Sequence, residues 1–363
     1  MRVLVAPCSF KESLTASDAA RVLARVARAR GHTVDTVAIA DGGEGTLDAL
    51  REPFGLTLRT VQVTGALGAP VRARLGVSRA AVVIEAAEVV GLARTTRARR
   101  DPMRATTVGV GQLVRRALEL GAPDVMVALG GTATVDGGAG LLHALGVRFL
   151  DERGRELAPT PRALTRLAKV DRSGLDPRLA TTPLTALTDV RVPLLGPHGA
   201  RQFMAQKGAR QSELATLEGV LRRLYSADLA RTPGAGAAGG LGAALVSIGA
   251  RVVQGIDVVL DAHDVEERAA RADVVVTGEG RLDQQTLEGK ALAALARLCR
   301  KTRTPLVALC GSVELPHKAL ERAGVIALPI VPGPCPVDDA LAAARTNLAR
   351  AAHAALALLE AGR

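Results

Sequence analysis

The sequence predicts an α/β protein, and three observations predict it. Short apolar runs alternate with amphipathic helical stretches at both ends of the chain, over 2–39 and again beyond 262. The middle interrupts that rhythm with two strands of alternating polarity. Three apolar runs lead into glycine-rich turns that carry acid, at the position where open α/β sheets bind ligands.

Residues 2–6 form a short apolar strand, and Thr15-Ala16-Ser17-Asp18 is a capping-box pattern that opens a helix. Val22, Leu23, Val26 and Ala27 share its apolar face, Arg21, Arg25 and Arg28 face water, and Gly31 ends it. Residues 34–39 make the next strand, so the unit is strand–helix–strand and its sheet is expected to be parallel. Near 57 the pattern changes: 58–63 and 71–77 alternate about a 65–70 turn, an antiparallel hairpin. Residues 81–84, 125–129, 146–150 and 184–187 are further strands. A helix capped by Thr106 or Thr107 reaches Leu120, and 212–229 and 241–248 are helical. Strands at 273–276, 305–309 and 325–329 then alternate with helices at 284–300, 314–323 and 338–359.

The two ends together supply five strands of one sheet. The expected architecture is two α/β domains. One is a discontinuous Rossmann- or flavodoxin-like parallel-sheet domain from 1–64 and 262–363. The other is an inserted mixed α/β domain from 65–261, with the active site in the cleft between them. A sequential split near 150 is the alternative.

Aromatics make up 1% of the 363 residues and hydrophobics 48%, so Ala, Val and Leu must fill the core. Stacking platforms for single-stranded nucleic acid are absent. The net charge of +11 comes from arginines spread over many helices. That distribution favours a generally basic surface over a nucleic-acid footprint. Only six of the 47 basic residues are Lys: Lys11, Lys169, Lys207, Lys290, Lys301 and Lys318. Lys11, Lys207 and Lys290 fall in polar or glycine-bearing segments, where a compact point charge is not interchangeable with a planar fork. Cys8, Cys299, Cys310 and Cys335 show no CxxC spacing, which fits reduced thiols and a cytoplasmic location. The start, 1–7, reads as a strand rather than a signal segment. The longest uncharged stretch, 232–250, is too rich in glycine for a membrane span. The partners expected are therefore small molecules, with neither nucleic acid nor membrane. The six histidines show no metal-ligand pairing.

Asp41-Gly42-Gly43-Glu44-Gly45-Thr46 places two carboxylates and a hydroxyl in one turn. Gly130-Gly131-Thr132-Ala133-Thr134-Val135-Asp136-Gly137-Gly138 adds glycine N–H groups, hydroxyls and an acid. Gly278-Glu279-Gly280-Arg281-Leu282-Asp283 precedes Lys290 on the next helix. Asp189 follows the 184–187 strand, and Lys207 sits in a Gln-Lys-Gly turn. Each has a plainer reading: a strand–turn–helix link with Thr46 as cap, a surface loop, an N-cap at Asp283, a solvated loop at Lys207. Gly234-Ala235-Gly236-Ala237-Ala238-Gly239 matches G-x-G-x-x-G but follows a helix, so phosphate contact and tight helix packing are equally good accounts of it. No P-loop or protein-kinase set is present. Glycine turns bring N–H groups to an anion and neighbouring carboxylates can hold Mg²⁺, so the three turns read as parts of a phosphate-handling site.

With these segments quoted, the chain resembles the bacterial glycerate kinase family of glycerate 2-kinase type. The carriers are Ala6-Pro7-Cys8-Ser9-Phe10-Lys11-Glu12-Ser13-Leu14, the 40–46 turn, Ala105-Thr106-Thr107-Val108-Gly109, the 130–140 turn, Leu194-Leu195-Gly196-Pro197 with Gln206-Lys207-Gly208-Ala209, and 234–242 and 278–286. The resemblance implies ATP and Mg²⁺ as cosubstrates and D-glycerate as acceptor, with 2-phosphoglycerate favoured over 3-phosphoglycerate as product. Phosphoryl transfer then sorts the residues. Lys11 and Lys290 neutralise phosphate, and Glu279 and Asp283 hold Mg²⁺. Asp189, with Asp41 in reserve, serves as general base. Ser9, Gly42, Gly43, Glu44, Thr46, Gly130, Gly131, Thr132, Asp136, Gly137 and Lys207 bind substrate or phosphate, and Arg281 anchors the acceptor carboxylate. Four positions depart from the family's usual pattern: Cys8 for Asp, Val135 for Asn, Val192 for Asn and Ala205 for Pro. Cys8 and Val135 motivate a second expectation, a catalytically weakened binding or regulatory relative, or a kinase of another small hydroxy acid. A basic nucleic-acid binder is disfavoured because the acidic turns would repel phosphates.

Overall fold

Apolar runs from both ends of the chain meet in one five-stranded sheet. Its order is Val325–Pro329, Leu306–Val313, Val274–Leu282, Arg2–Val5, Thr33–Thr36, and every neighbouring pair is parallel. These coordinates come from a computed structural model, which describes residues 1–287 and 291–362. The chain divides into two compact units, Met1–Asp41 with Ile256–Arg363, and Gly42–Gly255.

In the first unit the Thr15 hydroxyl accepts the Asp18 N–H at 3.0 Å and starts the helix Ala16–Ala29. Its buried face, including Ala19, Val22, Leu23 and Ala27, shares a core with Leu348, Ala352 and Leu356 of the helix Ala344–Ala361. Small Ala side chains stand in for the missing aromatics. Strand order reverses beside Arg2–Val5: the chain moves one way to Thr33–Thr36 and the other way from Val274–Leu282 outward. The carboxyl ends of Arg2–Val5 and Val274–Leu282 therefore flank a topological switch point, where such sheets bind ligands.

One expected turn is strand. Val274–Leu282 runs for nine residues, so Gly278 to Leu282 continue the sheet rather than leave it. The reason lies in the neighbour, whose backbone pairs Gly278 with Leu309, Glu279 with Cys310, Arg281 with Ser312 and Leu282 with Val313. The helical stretch expected at 338–359 is two helices, Val337–Ala342 and Ala344–Ala361.

The second unit holds a six-stranded sheet, ordered Arg251–Gln254, Leu184–Thr188, Val125–Ala128, Val82–Glu85, Pro70–Val77, Thr57–Thr64. The first four strands are mutually parallel and the last two antiparallel. Thr57–Thr64, placed with the first domain by a boundary at 64, belongs to this sheet because its hairpin partner does. The strand expected at 146–150 is Arg148–Leu150, paired with Lys169–Asp171 in a separate antiparallel ribbon. The helix expected over 212–229 is Leu214–Leu224, after which Ser226 caps a second helix, Ala227–Arg231. Phe149 is fully buried among Ala, Val and Leu in this unit's core.

Candidate active site

At the first unit's switch point the Cys8 N–H donates to the Gly278 carbonyl at 2.8 Å. This fixes the segment after the first strand against the extended third one. Cys8, Ser9, Asp41 and Glu279 are all half-buried here. Burial pushes the Cys8 thiol well above its ordinary value, and the carboxylates of Glu279 and Asp41 push it further. Cys8 is thus a neutral group set among acids. Cys310, the register partner of Glu279, is pushed up to about 12 by burial. A reciprocal turn closes from Phe10 to Leu14, with Glu12 at a φ of 66°, and leaves the Lys11 side chain exposed.

Arg281 is exposed and donates to Glu314 at 2.7 Å, with its Nε 3.5 Å from Asp283. Asp283 accepts the Thr286 N–H at 3.2 Å, the geometry of an N-cap for Gln284–Leu287. Its carboxylate is thus already engaged by the Thr286 N–H and lies beside the Arg281 guanidinium. Lys290 lies outside the described residues.

In the second unit the carboxyl ends of the parallel strands carry the two other turns. Gly130 donates to the Gly42 carbonyl at 2.8 Å. A Cβ on Gly130 would stand 2.5 Å from the Gly43 Cα, so the two turns pack backbone on backbone and only glycine fits. The Thr46 hydroxyl donates to the Gly43 carbonyl at 2.7 Å and is buried, which makes it a strut of its own turn. Glu44 is exposed, and Asp189 is half-buried just past Leu184–Thr188.

Asp136 was expected to bind phosphate or substrate, and its surroundings give it another task. It is fully buried and accepts four hydrogen bonds: Thr107 N–H at 2.7 Å, Thr107 hydroxyl at 2.8 Å, Gly138 N–H at 3.0 Å and Gly140 N–H at 3.1 Å. The Thr107 hydroxyl, expected as a helix cap, serves this carboxylate instead. Burial raises the Asp136 carboxyl above its ordinary value while the four donors oppose the rise. Lys207 is likewise 4% exposed, and its ammonium donates to the Thr132 carbonyl at 2.7 Å and hydroxyl at 2.9 Å. Both residues hold the 130–138 turn from within. Tyr225 adds a hydroxyl donated to the Gly137 carbonyl. The glycines of 234–239 are packing residues: a Cβ on Gly239 would meet the Thr134 carbonyl at 2.1 Å.

Glu85 was not singled out by the sequence reading. It ends the strand Val82–Glu85, is 5% exposed, and accepts the Gly45 N–H at 3.1 Å and the Leu47 N–H at 3.1 Å. The available signal was an acid directly after an apolar run.

Among the described residues no three Asp, Glu, His or Cys side chains converge as a cation cage. Mg²⁺ needs no such cage, because it keeps waters and uses one or two carboxylates with the phosphates. The hard oxygens of Glu279 and Asp41 suit it; the neutral Cys8 thiol does not. No helix among the described residues is long and apolar enough to cross a membrane.

A parallel sheet with polar groups at its switch point, and a mixed sheet with glycine turns packed at its strand ends, define an α/β protein whose polar residues gather where such folds bind ligands. A profile described as the glycerate kinase family matches residues 3–360. The glycerate kinase of Bacillus subtilis (strain 168) is 40% identical, covering 97% of this chain and 96% of its own. The glycerate 2-kinase of Escherichia coli (strain K12) is 36% identical over 100% of this chain and 99% of its own. A crystal structure from Salmonella typhimurium LT2, provisionally assigned as glycerate kinase 2, superposes with a TM-score of 0.80 at 36% identity, covering 100% of this chain and 99% of that one. The chain belongs to the glycerate kinase family.

Proposed function

We propose that this protein is an ATP- and Mg²⁺-dependent glycerate kinase that phosphorylates D-glycerate, with 2-phosphoglycerate as product. The carrying observation is similarity over nearly the whole chain, at 40% and 36% identity, to the glycerate kinase of Bacillus subtilis and the glycerate 2-kinase of Escherichia coli. Mg²⁺, when bound, would neutralise charge spreading over the transferred phosphoryl group. Glu279 is the proposed principal holder of the cation, with Asp283 its weaker partner. Lys11 is exposed on a fixed turn, free to swing its ammonium toward phosphate. Asp189 orients the acceptor hydroxyl and takes its proton, with Asp41 as the alternative base. Arg281 exchanges its Glu314 pair for the acceptor carboxylate. The backbone N–H groups of the 42–46 and 130–138 turns supply anion contacts, and we propose that both units serve one reaction.

ADP release on adding ATP, Mg²⁺ and D-glycerate, followed by a coupled assay, tests this reading. Turnover dependent on all three supports it, and a folded protein that forms no ADP overturns it. The neutral Cys8 favours one further reading, a relative that binds ATP or glycerate without turnover. In that case ligand would raise the melting temperature while ADP stayed flat, and Cys8→Asp would restore activity.

A further inference from the structure

The second unit also carries a surface cleft of about 600 Å³, lined by three arginines and by no acid. None of its lining residues belongs to the turns at 42–46 or 130–138. Arg104 comes from the loop before the helix Val108–Glu119. Arg162 and Arg166 come from the short helix Pro161–Leu164 and the residues just after it. Leu67, at the tip of the 65–70 hairpin turn, adds an apolar side chain that is 41% exposed.

Backbone hydrogen bonds build this wall. The Thr106 N–H donates to the Ala66 carbonyl at 2.9 Å, and the Arg162 N–H to the Met103 carbonyl at 2.9 Å. Three segments remote in sequence, 66–68, 103–106 and 160–166, are stitched together in this way. Thr106 lines the cleft and is 7% exposed, and its hydroxyl has no hydrogen-bond partner among the described residues. A few residues earlier in the same loop, the Arg100 guanidinium donates to the carbonyls of Leu92, Thr95 and Gln206. The side chains of Arg104, Arg162 and Arg166, by contrast, make no ion pair or hydrogen bond among the described residues.

Unpaired guanidiniums around one cleft repel each other, and an anion relieves that repulsion while accepting forked hydrogen bonds. We propose that the cleft binds a small phosphorylated carboxylic acid. A phosphate monoester carries about −1.5 to −2 at neutral pH and a carboxylate adds one more negative charge, which together match three guanidiniums. Inorganic phosphate alone fills little of the volume and leaves part of that charge unmet. Leu67 offers the carbon chain a dry wall. The site does not rest on the kinase reading, because no residue that lines it has a part in that reaction.

Calorimetric titration of the whole protein with 3-phosphoglycerate, at low ionic strength and near neutral pH, tests the site. Wild type should bind it about tenfold or more tightly than it binds inorganic phosphate. Arg162→Glu combined with Arg166→Glu should weaken that binding about tenfold or more. Arg281→Ala, in the other unit, should leave it unchanged. Hydrogen exchange on the wild type gives a readout that needs no variant: 3-phosphoglycerate should slow exchange in 66–68, 103–106 and 160–166. Absence of binding, equal affinity for inorganic phosphate, or full affinity in the folded double variant overturns the proposal. So does a loss in Arg281→Ala instead, or protection confined to 42–46, 130–138 and 278–283. If the double variant does not fold, exchange on the wild type decides. ADP formation from ATP and D-glycerate judges the kinase reading separately, since these titrations involve no turnover.

Discussion

The two units handle polar residues in opposite ways. In the first, Cys8, Asp41 and Glu279 are half-buried at a switch point, and Lys11 and Arg281 are exposed. In the second, Glu85, Asp136 and Lys207 are buried, with their hydrogen-bonding capacity engaged by backbone and Thr side chains. An acid beside glycine is thus not automatically a ligand group. The donors already attached to it, and the water left around it, decide whether it acts on a ligand or on its own turn.

Removing a buried strut should produce the largest effect. Asp136→Ala strands four donors and should cost about 3–5 kcal/mol of unfolding free energy, read from denaturant midpoints. A loss under about 1 kcal/mol would mean that the second unit's acids are no more structural than the first unit's.

Stability against pH gives the next contrast. The folded-state value of Glu85 is raised from 4.5 to about 7, so the native state holds that proton more tightly than the unfolded chain. Its stabilising share is complete below the ordinary carboxylate range and is lost as pH rises to about 7, amounting to about 3 kcal/mol at most. Asp136, also raised, adds in the same direction. Lys207, lowered from 10.5 to about 7, does the reverse: stability returns as pH climbs from about 7 toward 10.5. Denaturation at several pH values should show a minimum near neutrality, and Glu85→Gln should shrink its acid side. A stability maximum at neutral pH would contradict the burial of these charges.

For the first unit, the raised Cys8 value predicts slow alkylation. Mass spectrometry after iodoacetamide near neutral pH should find Cys335, which is exposed, labelled about tenfold or more faster than Cys8. Faster labelling of Cys8 would show a thiolate there. The smallest stability effect belongs to Arg281→Ala, under about 1 kcal/mol, since its pairs with Glu314 and Asp283 are largely exposed. The same change should raise KM for glycerate about tenfold if the side chain anchors the acceptor. An unchanged KM removes Arg281 from the site.

The parallel sheet of the first unit was legible because most of its strands carry an apolar run next to an amphipathic helix; the edge strand Thr33–Thr36, with Thr, Asp and Thr around one Val, is the exception. The hairpin was legible from alternating polarity about a turn rich in glycine and proline. The turn expected at 278–283 misled because glycine and charge signal a break locally, while the long partner strand Leu306–Val313 overrides that signal. Arg251–Gln254 is four residues with polar ends, too short to stand out. The site was harder to read for one physical reason. Asp136 is claimed by Thr107 and Thr132 by Lys207, pairs 29 and 75 positions apart, and no local pattern announces them. Glu85 acts on Gly45 and Leu47 across a similar gap.

The most direct test follows ³¹P NMR of wild-type protein and Glu279→Gln, each incubated with ATP, Mg²⁺ and D-glycerate. The account predicts 2-phosphoglycerate and ADP from the wild type, and a loss of about a hundredfold or more in the variant while the fold is kept. No phosphoglycerate from folded wild-type protein, or a variant that matches it, would contradict the account.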